Sequence, residues 1–220
     1  PPEMFLSLLQ RCYNIHVEPS HEALFYQPKS GSGEQYGELK PVLIQQIFQD
    51  AHITSSSVFV DLGSGAGTVV SQASLVYGCK SHGIEIRELA STLADKLWKS
   101  LQARARLWGI TTGEVELING DIRNNQQVVD LIKIADLILV CNEVFPASLN
   151  NALGSLLLSM KPGVLVVSLQ SLMLTPRIES CNRNPVFLTV HFTKAVKQYK
   201  SNTTNWKHAG GTYYQYQRLP

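Results

Sequence analysis

The chain has 220 residues, 44% hydrophobic and 16% charged, with a formal net charge of +2 and a pI near 8.5. That is room for one large or two small domains of ordinary globular composition, and it falls short of the dense basic surface that announces nucleic-acid binding by itself. The four cysteines, Cys12, Cys79, Cys141 and Cys181, include no C-x-x-C pair, so no zinc or other metal is expected and a reducing compartment is.

The start, PPEMFLSLLQ, has no initiator Met, basic n-region or small-residue cleavage site. It is expected to be neither a signal peptide nor a natural start, with flanking sequence that carries partners or addresses. MFLSLLQRCY has helical apolar spacing and leads into a polar loop with Pro28 and Gly31-Ser32-Gly33. LKPVLIQQIFQDA predicts a second helix with Leu43, Ile44 and Ile47 on one face. Residues 1–50 therefore read as a small helical collar, with a lid over a pocket as the competing role. From Ser57 strand and helix alternate: SVFVDL, KSHGIEI, EVELING, ADLILVCN and GVLVVSL as strands, with TVVSQASLVYG, ELASTLADKLWKSLQARARLWG, NNQQVVDLIK and PASLNNALGSLLLSM as the helices between and after them. FLTVHFTKAVKQYK and GTYYQYQ predict a closing antiparallel hairpin around SNTTNWKHAGG. Residues 51–220 thus read as an α/β domain with a mainly parallel sheet covered on both faces. No apolar run approaches the ~18 residues that span a bilayer, so no membrane partner is expected.

VFVDLGSGAGTVV (Val58 to Val70) is a strand turning into a helix through Gly63, Gly65 and Gly67. Glycines there let the backbone turn tightly and approach a ligand. The spacing G-x-G-x-G is one residue short of the dinucleotide fingerprint and lacks the end of a phosphate loop. Asp61, just before the glycines, repels a pyrophosphate and welcomes a cationic amino group such as that of S-adenosylmethionine. Glu85, at the end of the second strand, is placed to grip ribose hydroxyls. Asp121, after the third, is placed to accept from an adenine amino group, with Ile122 covering the ring. The competing reading is that Glu85 and Asp121 only cap the helices that follow.

The fourth strand ends in DLILVCNEVF, where class I methyltransferases place substrate-facing residues. The polar-Pro-Pro-aromatic pattern of nucleic-acid amino-methyltransferases is absent, which disfavours a base-amino substrate. Cys141 reads either as a small buried residue or as a pocket-facing thiol with weak donor capacity. Lys96, Lys99, Arg104 and Arg106 read as a solvated helix face, and Lys194, Lys197, Lys200 and Lys207 as a basic group that suits an acidic surface or DNA.

EQYGELKP, VFVDLGSGAGTVV, HGIEI, ADLILVCNEVF and NWKHAGGTYY occur in the order found in the disruptor-of-telomeric-silencing family, which this chain resembles from about residue 25 to its end. These are non-SET lysine methyltransferases of histone H3. The resemblance implies a Rossmann-like class I methyltransferase sheet, S-adenosyl-L-methionine as cofactor (S-adenosyl-L-homocysteine as product), a lysine on the folded H3 core of the nucleosome as target, possible DNA contact, and nuclear localisation. By the same resemblance Tyr36, Gly37, Glu38 and Leu39 belong to a loop over the methionine end of the cofactor. Asp61, Gly63 and Gly65 cradle that end, Glu85 holds the ribose, and Asp121 with Ile122 the adenine. Trp206, Tyr213 and Phe145 line the lysine channel. Where the family has two asparagines and a phenylalanine, this chain has Cys141, Asn142 and Glu143. Strand alternation puts Asn142 on the face opposite Cys141 and Glu143 on the same one, so Asn142 does not simply replace the missing amide. A change in the number of methyl groups added is one expectation; a methyltransferase of another protein or small molecule, or a nucleosome-binding pseudoenzyme, are the alternatives.

Overall fold

The computed structural model describes residues 2–25, 36–172, 192–206 and 208–220, and among them seven strands form one sheet. They are β1 (Val58–Leu62), β2 (Lys80–Glu85), β3 (Val115–Asn119), β4 (Leu137–Val140), β5 (Leu165–Ser168), β6 (Phe192–Tyr199) and β7 (Gly211–Arg218). In space the order is β3-β2-β1-β4-β5-β7-β6. The first five strands run parallel, and β7 is antiparallel to both β5 and β6. The expected mainly parallel sheet with an antiparallel hairpin at one edge is what forms.

Strand alternation sorts the side chains into two cores. Val60, Leu62, Ile138, Val140 and Val166 face α6 (Gln126–Ile134) and α7 (Ala147–Leu157) on one side. Phe59, Leu137, Leu139 and Val167 face α3 (Pro41–Asp50) and α4 (Thr68–Gln72) on the other. Strand β4 is buried throughout because both of its faces are covered, so LILV has no polar alternate. A third core joins α1 (Pro2–His16) to α5 (Glu88–Leu107), where Leu93, Leu97 and Leu101 recur at helical spacing against Leu8, Leu9 and Cys12. Leu8 and Leu9 are 2% and 5% exposed, and burial of each stabilises the α1 contact by about 1.5–3 kcal/mol.

Three expectations change. The chain after α1 is helical again over α2 (His21–Phe25), because Val17 and Leu24 are fully buried and pull it back onto the core. The helix after the glycine loop passes from α4 into a π-helical turn, Ala73–Tyr77, ending at Gly78. The fourth strand stops at Val140, and Asn142–Val144 form a 3-10 turn rather than more strand. The segment with Pro28 and Gly31-Ser32-Gly33, and residues 187–191 of the expected hairpin strand, lie outside the described residues.

The chain adds β2 and β3 on one side of β1, then returns to add β4 and β5 on the other. Strand order therefore reverses between β1 and β4, and the carboxyl ends of those strands are where such sheets bind ligands.

Candidate functional site

A cleft of about 510 Å³ opens at this reversal point. Its walls come from the loop after β1 (Gly63, Gly65), the end of β2 (Glu85), the turn after β3 (Asp121, Ile122) and the turn after β4 (Cys141, Phe145), with Tyr36 and Trp206 across the opening. Gly63 and Gly65 have φ of 94° and 55°. A Cβ on Gly63 would lie 3.1 Å from the Phe145 ring, and one on Gly65 2.9 Å from the Tyr36 ring. Both the backbone conformation and the close approach therefore require glycine. Gly67 instead packs against α5, where a Cβ would lie 2.9 Å from the Ala94 Cβ.

The acids are held in different ways. Glu85 Oε2 accepts the Gly65 N–H at 2.9 Å and Oε1 the Arg87 N–H at 2.7 Å. Burial raises its pKa, and these backbone donors pull it partly back. A carboxylate has about four lone-pair sites, so Glu85 retains acceptor capacity toward the cleft. Asp121 accepts the Arg123 N–H and the Arg123 guanidinium, and those bonds lower its pKa. It thus caps the short 3-10 turn Ile122–Asn124 while also lining the cleft, so its capping does not take it away from the cleft. Asp61 is 1% exposed, and its Oδ1 has no hydrogen-bond partner among the described residues. Burial, with the Glu85 charge adding to it, pushes its pKa up to about 8. Asp61 is not among the residues that line the cleft; it lies on β1 just before the glycine loop, and a buried carboxyl oxygen without a partner is costly, a cost that a cationic amino group within reach would relieve.

Across the cleft, the Tyr36 hydroxyl donates to Glu38 and accepts the Ala66 N–H at 3.3 Å. Glu38 and Leu39 do not line the cleft. The Glu38 carboxylate also accepts from Tyr13 at 2.9 Å, and Leu39 is buried in the core and bridges to Thr204. They hold the strap that carries Tyr36. Glu38 N donates to the Asn205 side chain at 2.9 Å, and Asn205 N returns a bond to Glu38 O at 3.2 Å. The adjacent Trp206 ring lies on Gly37, where a Cβ would come 2.8 Å from its edge.

Tyr213 departs from its expected place. It is fully buried, its hydroxyl donating to Asp50 at 3.0 Å and accepting from Gln46 at 3.4 Å. It ties the hairpin to α3 and does not line the cleft. Asn142 likewise turns away. Its Oδ1 accepts the Leu169 and Gln170 N–H groups at 3.1 and 2.8 Å, and its Nδ2 donates to Asn150 at 2.9 Å. The 3-10 turn after Val140 puts Cys141 and Glu143 on the cleft and Asn142 in the interior. Burial, and then the Asp61 charge, push the Cys141 thiol well above its usual pKa, so it is a neutral group facing the cleft.

Sequence reasoning missed Phe25, Arg87, Arg123 and Asn205 as lining residues. Asn205 and Arg123 adjoin residues already singled out; Phe25 carries no local signal, since only tertiary packing sets it edge-on to Tyr36 at 5.1 Å. Of the basic residues, Lys99 pairs with Asp95 at 2.6 Å, Lys197 with Asp50 at 3.6 Å, and Lys194 sits 4.7 Å from the Tyr214 ring. Lys207 lies outside the described residues. Among the described residues no helix is long and apolar enough to cross a membrane, and no group of three or more His, Cys, Asp or Glu could hold a metal ion.

The family model described as "Histone methylation protein DOT1" matches residues 13–216. A protein of Emericella nidulans named "Histone-lysine N-methyltransferase, H3 lysine-79 specific" is 40% identical over 209 residues, covering 94% of this chain and 41% of that protein. A Yarrowia lipolytica protein of the same name is 37% identical over 215 residues, covering 97% of this chain and 43% of that protein. The chain thus spans less than half the length of these relatives. Among solved structures, an O-methyltransferase from Bacillus cereus in complex with SAH superposes with a TM-score of 0.61 at 12% identity, covering 96% of this chain and 90% of that one. At that identity the likeness concerns the fold, which is the Rossmann-like class I methyltransferase fold.

Proposed function

The chain belongs to the DOT1 histone-methylation family, and from that premise we propose that it is the catalytic part of an S-adenosyl-L-methionine-dependent lysine N-methyltransferase acting on histone H3 in nucleosomes. The observation that carries the reading is a glycine loop that tolerates no side chain on the wall of a cleft large enough for a nucleoside cofactor, entered from a strand whose buried Asp61 has an Oδ1 without a partner among the described residues. In this reading Asp61 and the loop receive the cofactor's amino acid end. Glu85 accepts from ribose hydroxyls, and Asp121 with Ile122 receives the adenine. The cofactor supplies an activated methyl group on a sulfonium.

The chain's own work is positional. A lysine ammonium has a reference pKa of ~10.4 and no lone pair, so it must lose a proton before it can accept a methyl group. Trp206 and Phe145 present apolar surface that disfavours the charged amine. The neutral Cys141 thiol adds no charge there. No strong base is required, and the site's contribution is orientation and exclusion of water. The relatives' name supports histone H3 as substrate and, with it, work in the nucleus. DNA contact through Lys200 and neighbouring basic residues is part of the same proposal.

Labelled methyl transfer to recombinant nucleosomes and to free histones, with mass-spectrometric site mapping, tests it. Label on one H3 lysine, strongly favoured in nucleosomes, is expected. Cofactor binding without transfer to any histone would refute the activity and favour a pseudoenzyme; equal transfer to free H3 peptide would refute the nucleosomal substrate.

A further inference from the structure

Glu38 is a junction of four parts of the fold. Its carboxylate, half-buried beside the cleft, takes Tyr13 of α1 on Oε2 and Tyr36 on Oε1. Tyr36 in turn meets the glycine loop twice, through the Ala66 N–H and through its ring over Gly65. The backbone of Glu38 exchanges bonds with Asn205, one residue before Trp206. The flanking backbone continues the seam, with Lys40 N donating to Thr203 O at 2.9 Å.

We propose that Tyr13 is a positioning residue for the cleft: by holding the Glu38 carboxylate from α1, it sets Tyr36 over the glycine loop and Trp206 over Gly37. The collar helix then acts on two residues that line the cleft without touching the cleft itself. Its consequence for ligand affinity rests on reading the cleft as the cofactor site; its consequence for Trp206 does not. Two phenols on one carboxylate fix its rotamer, because each oxygen is claimed from a different direction. With Tyr13 gone, Oε2 loses its donor and the carboxylate turns toward water, carrying the Tyr36 hydroxyl with it. The charges that face Glu38 from neighbouring elements are His21 on α2, which favours its ionised form, and Glu18, which opposes it. Neither occupies the place of the Tyr13 hydroxyl.

The test is a double-mutant cycle of Tyr13→Phe and Glu38→Gln with two readouts. S-adenosylhomocysteine is titrated by calorimetry. Fluorotryptophan NMR follows Trp206, its resonance assigned among the three tryptophans by a Trp206→Phe variant. Removing a hydrogen bond to a charged acceptor should raise the dissociation constant of Tyr13→Phe roughly ten-fold, and should change it by less than about two-fold in the Glu38→Gln background. The Trp206 resonance should shift or broaden in Tyr13→Phe without ligand. Unchanged affinity and an unchanged Trp206 signal would overturn the proposal. So would strictly additive effects in the cycle, which would make Tyr13 a packing residue. If the wild type binds no cofactor, the functional reading fails, while the ligand-free Trp206 signal still decides the inference. If Tyr13→Phe does not fold, Glu38→Gln alone must move Trp206, and an unmoved signal refutes the junction.

Discussion

Replacing Asp61 by asparagine should stabilise the ligand-free protein at alkaline pH while abolishing cofactor binding. In the folded chain Asp61 is fully buried and its pKa is pushed up to about 8, first by desolvation and then by Glu85. The unfolded chain has an ordinary carboxyl near ~3.9. The folded state therefore binds the proton more tightly. The stability linked to Asp61 is fully present below the unfolded value and is lost as pH rises through about 8. Between about pH 5 and pH 8 the slope is ~1.4 kcal/mol per unit, or on the order of 4 kcal/mol for this group. The Asp61→Asn variant would lack that slope at a cost of about 1–3 kcal/mol for an unsatisfied amide. Glu38 and Glu85 are also raised, but they titrate in both proteins, so the difference between the two pH profiles isolates position 61. The assay is urea unfolding of wild type and Asp61→Asn across that window. Parallel profiles would refute a buried, protonated Asp61. A second readout follows from the same number. At pH 7 a carboxyl with pKa about 8 is mostly protonated, so binding a cationic amino group should release close to one proton. Calorimetry in buffers of different ionisation enthalpy reads that release, and binding with no proton exchange would contradict the assignment.

Gly63→Arg should lose measurable cofactor binding, because φ is 94° there and even a Cβ would meet Phe145; retained affinity by calorimetry would displace the loop from the site. Tyr213→Phe removes the bond to Asp50 and should cost about 1–2 kcal/mol in urea unfolding with cofactor affinity unchanged; a loss of affinity without a loss of stability would return Tyr213 to the channel. Asn142→Ala strips donors and acceptors from a buried network and should cost about 2–4 kcal/mol, read as a fall in thermal midpoint. Cys141→Asn puts a donor and acceptor amide on the cleft wall and should change the ratio of mono-, di- and trimethyl products by mass spectrometry; unchanged ratios and rates would show that this wall does not orient the amine.

What could be read from the sequence was what local chemistry decides. The apolar runs in SVFVDL and LILV mark strands buried on both faces, and the glycines after Asp61 mark a turn that any other residue would block. Alternation also separated Asn142 from Cys141 correctly, although a 3-10 turn rather than a continued strand does the separating. Tyr213 was misplaced because its spacing from Trp206 says nothing about Asp50, which reaches it from α3 across the fold. Tyr13 was invisible for the same reason: its partner is 25 residues away and joined only by tertiary packing.

That limit bears on the division of the chain at residue 50. By pattern, the first segment is a collar and the rest a catalytic domain. By packing, α3 shares its core with Phe59 and Leu139 of the sheet, and α1 shares another with α5. A boundary at residue 50 would cut through the first of these cores and remove Leu43, Ile44, Ile47 and Phe48 from it. Four such side chains represent roughly 6–12 kcal/mol of burial, comparable with the whole stability of a typical domain. A fragment beginning at residue 51 is therefore expected not to fold, and the collar is part of the structural unit that carries the cleft. A soluble fragment 51–220 with cooperative unfolding would refute that conclusion.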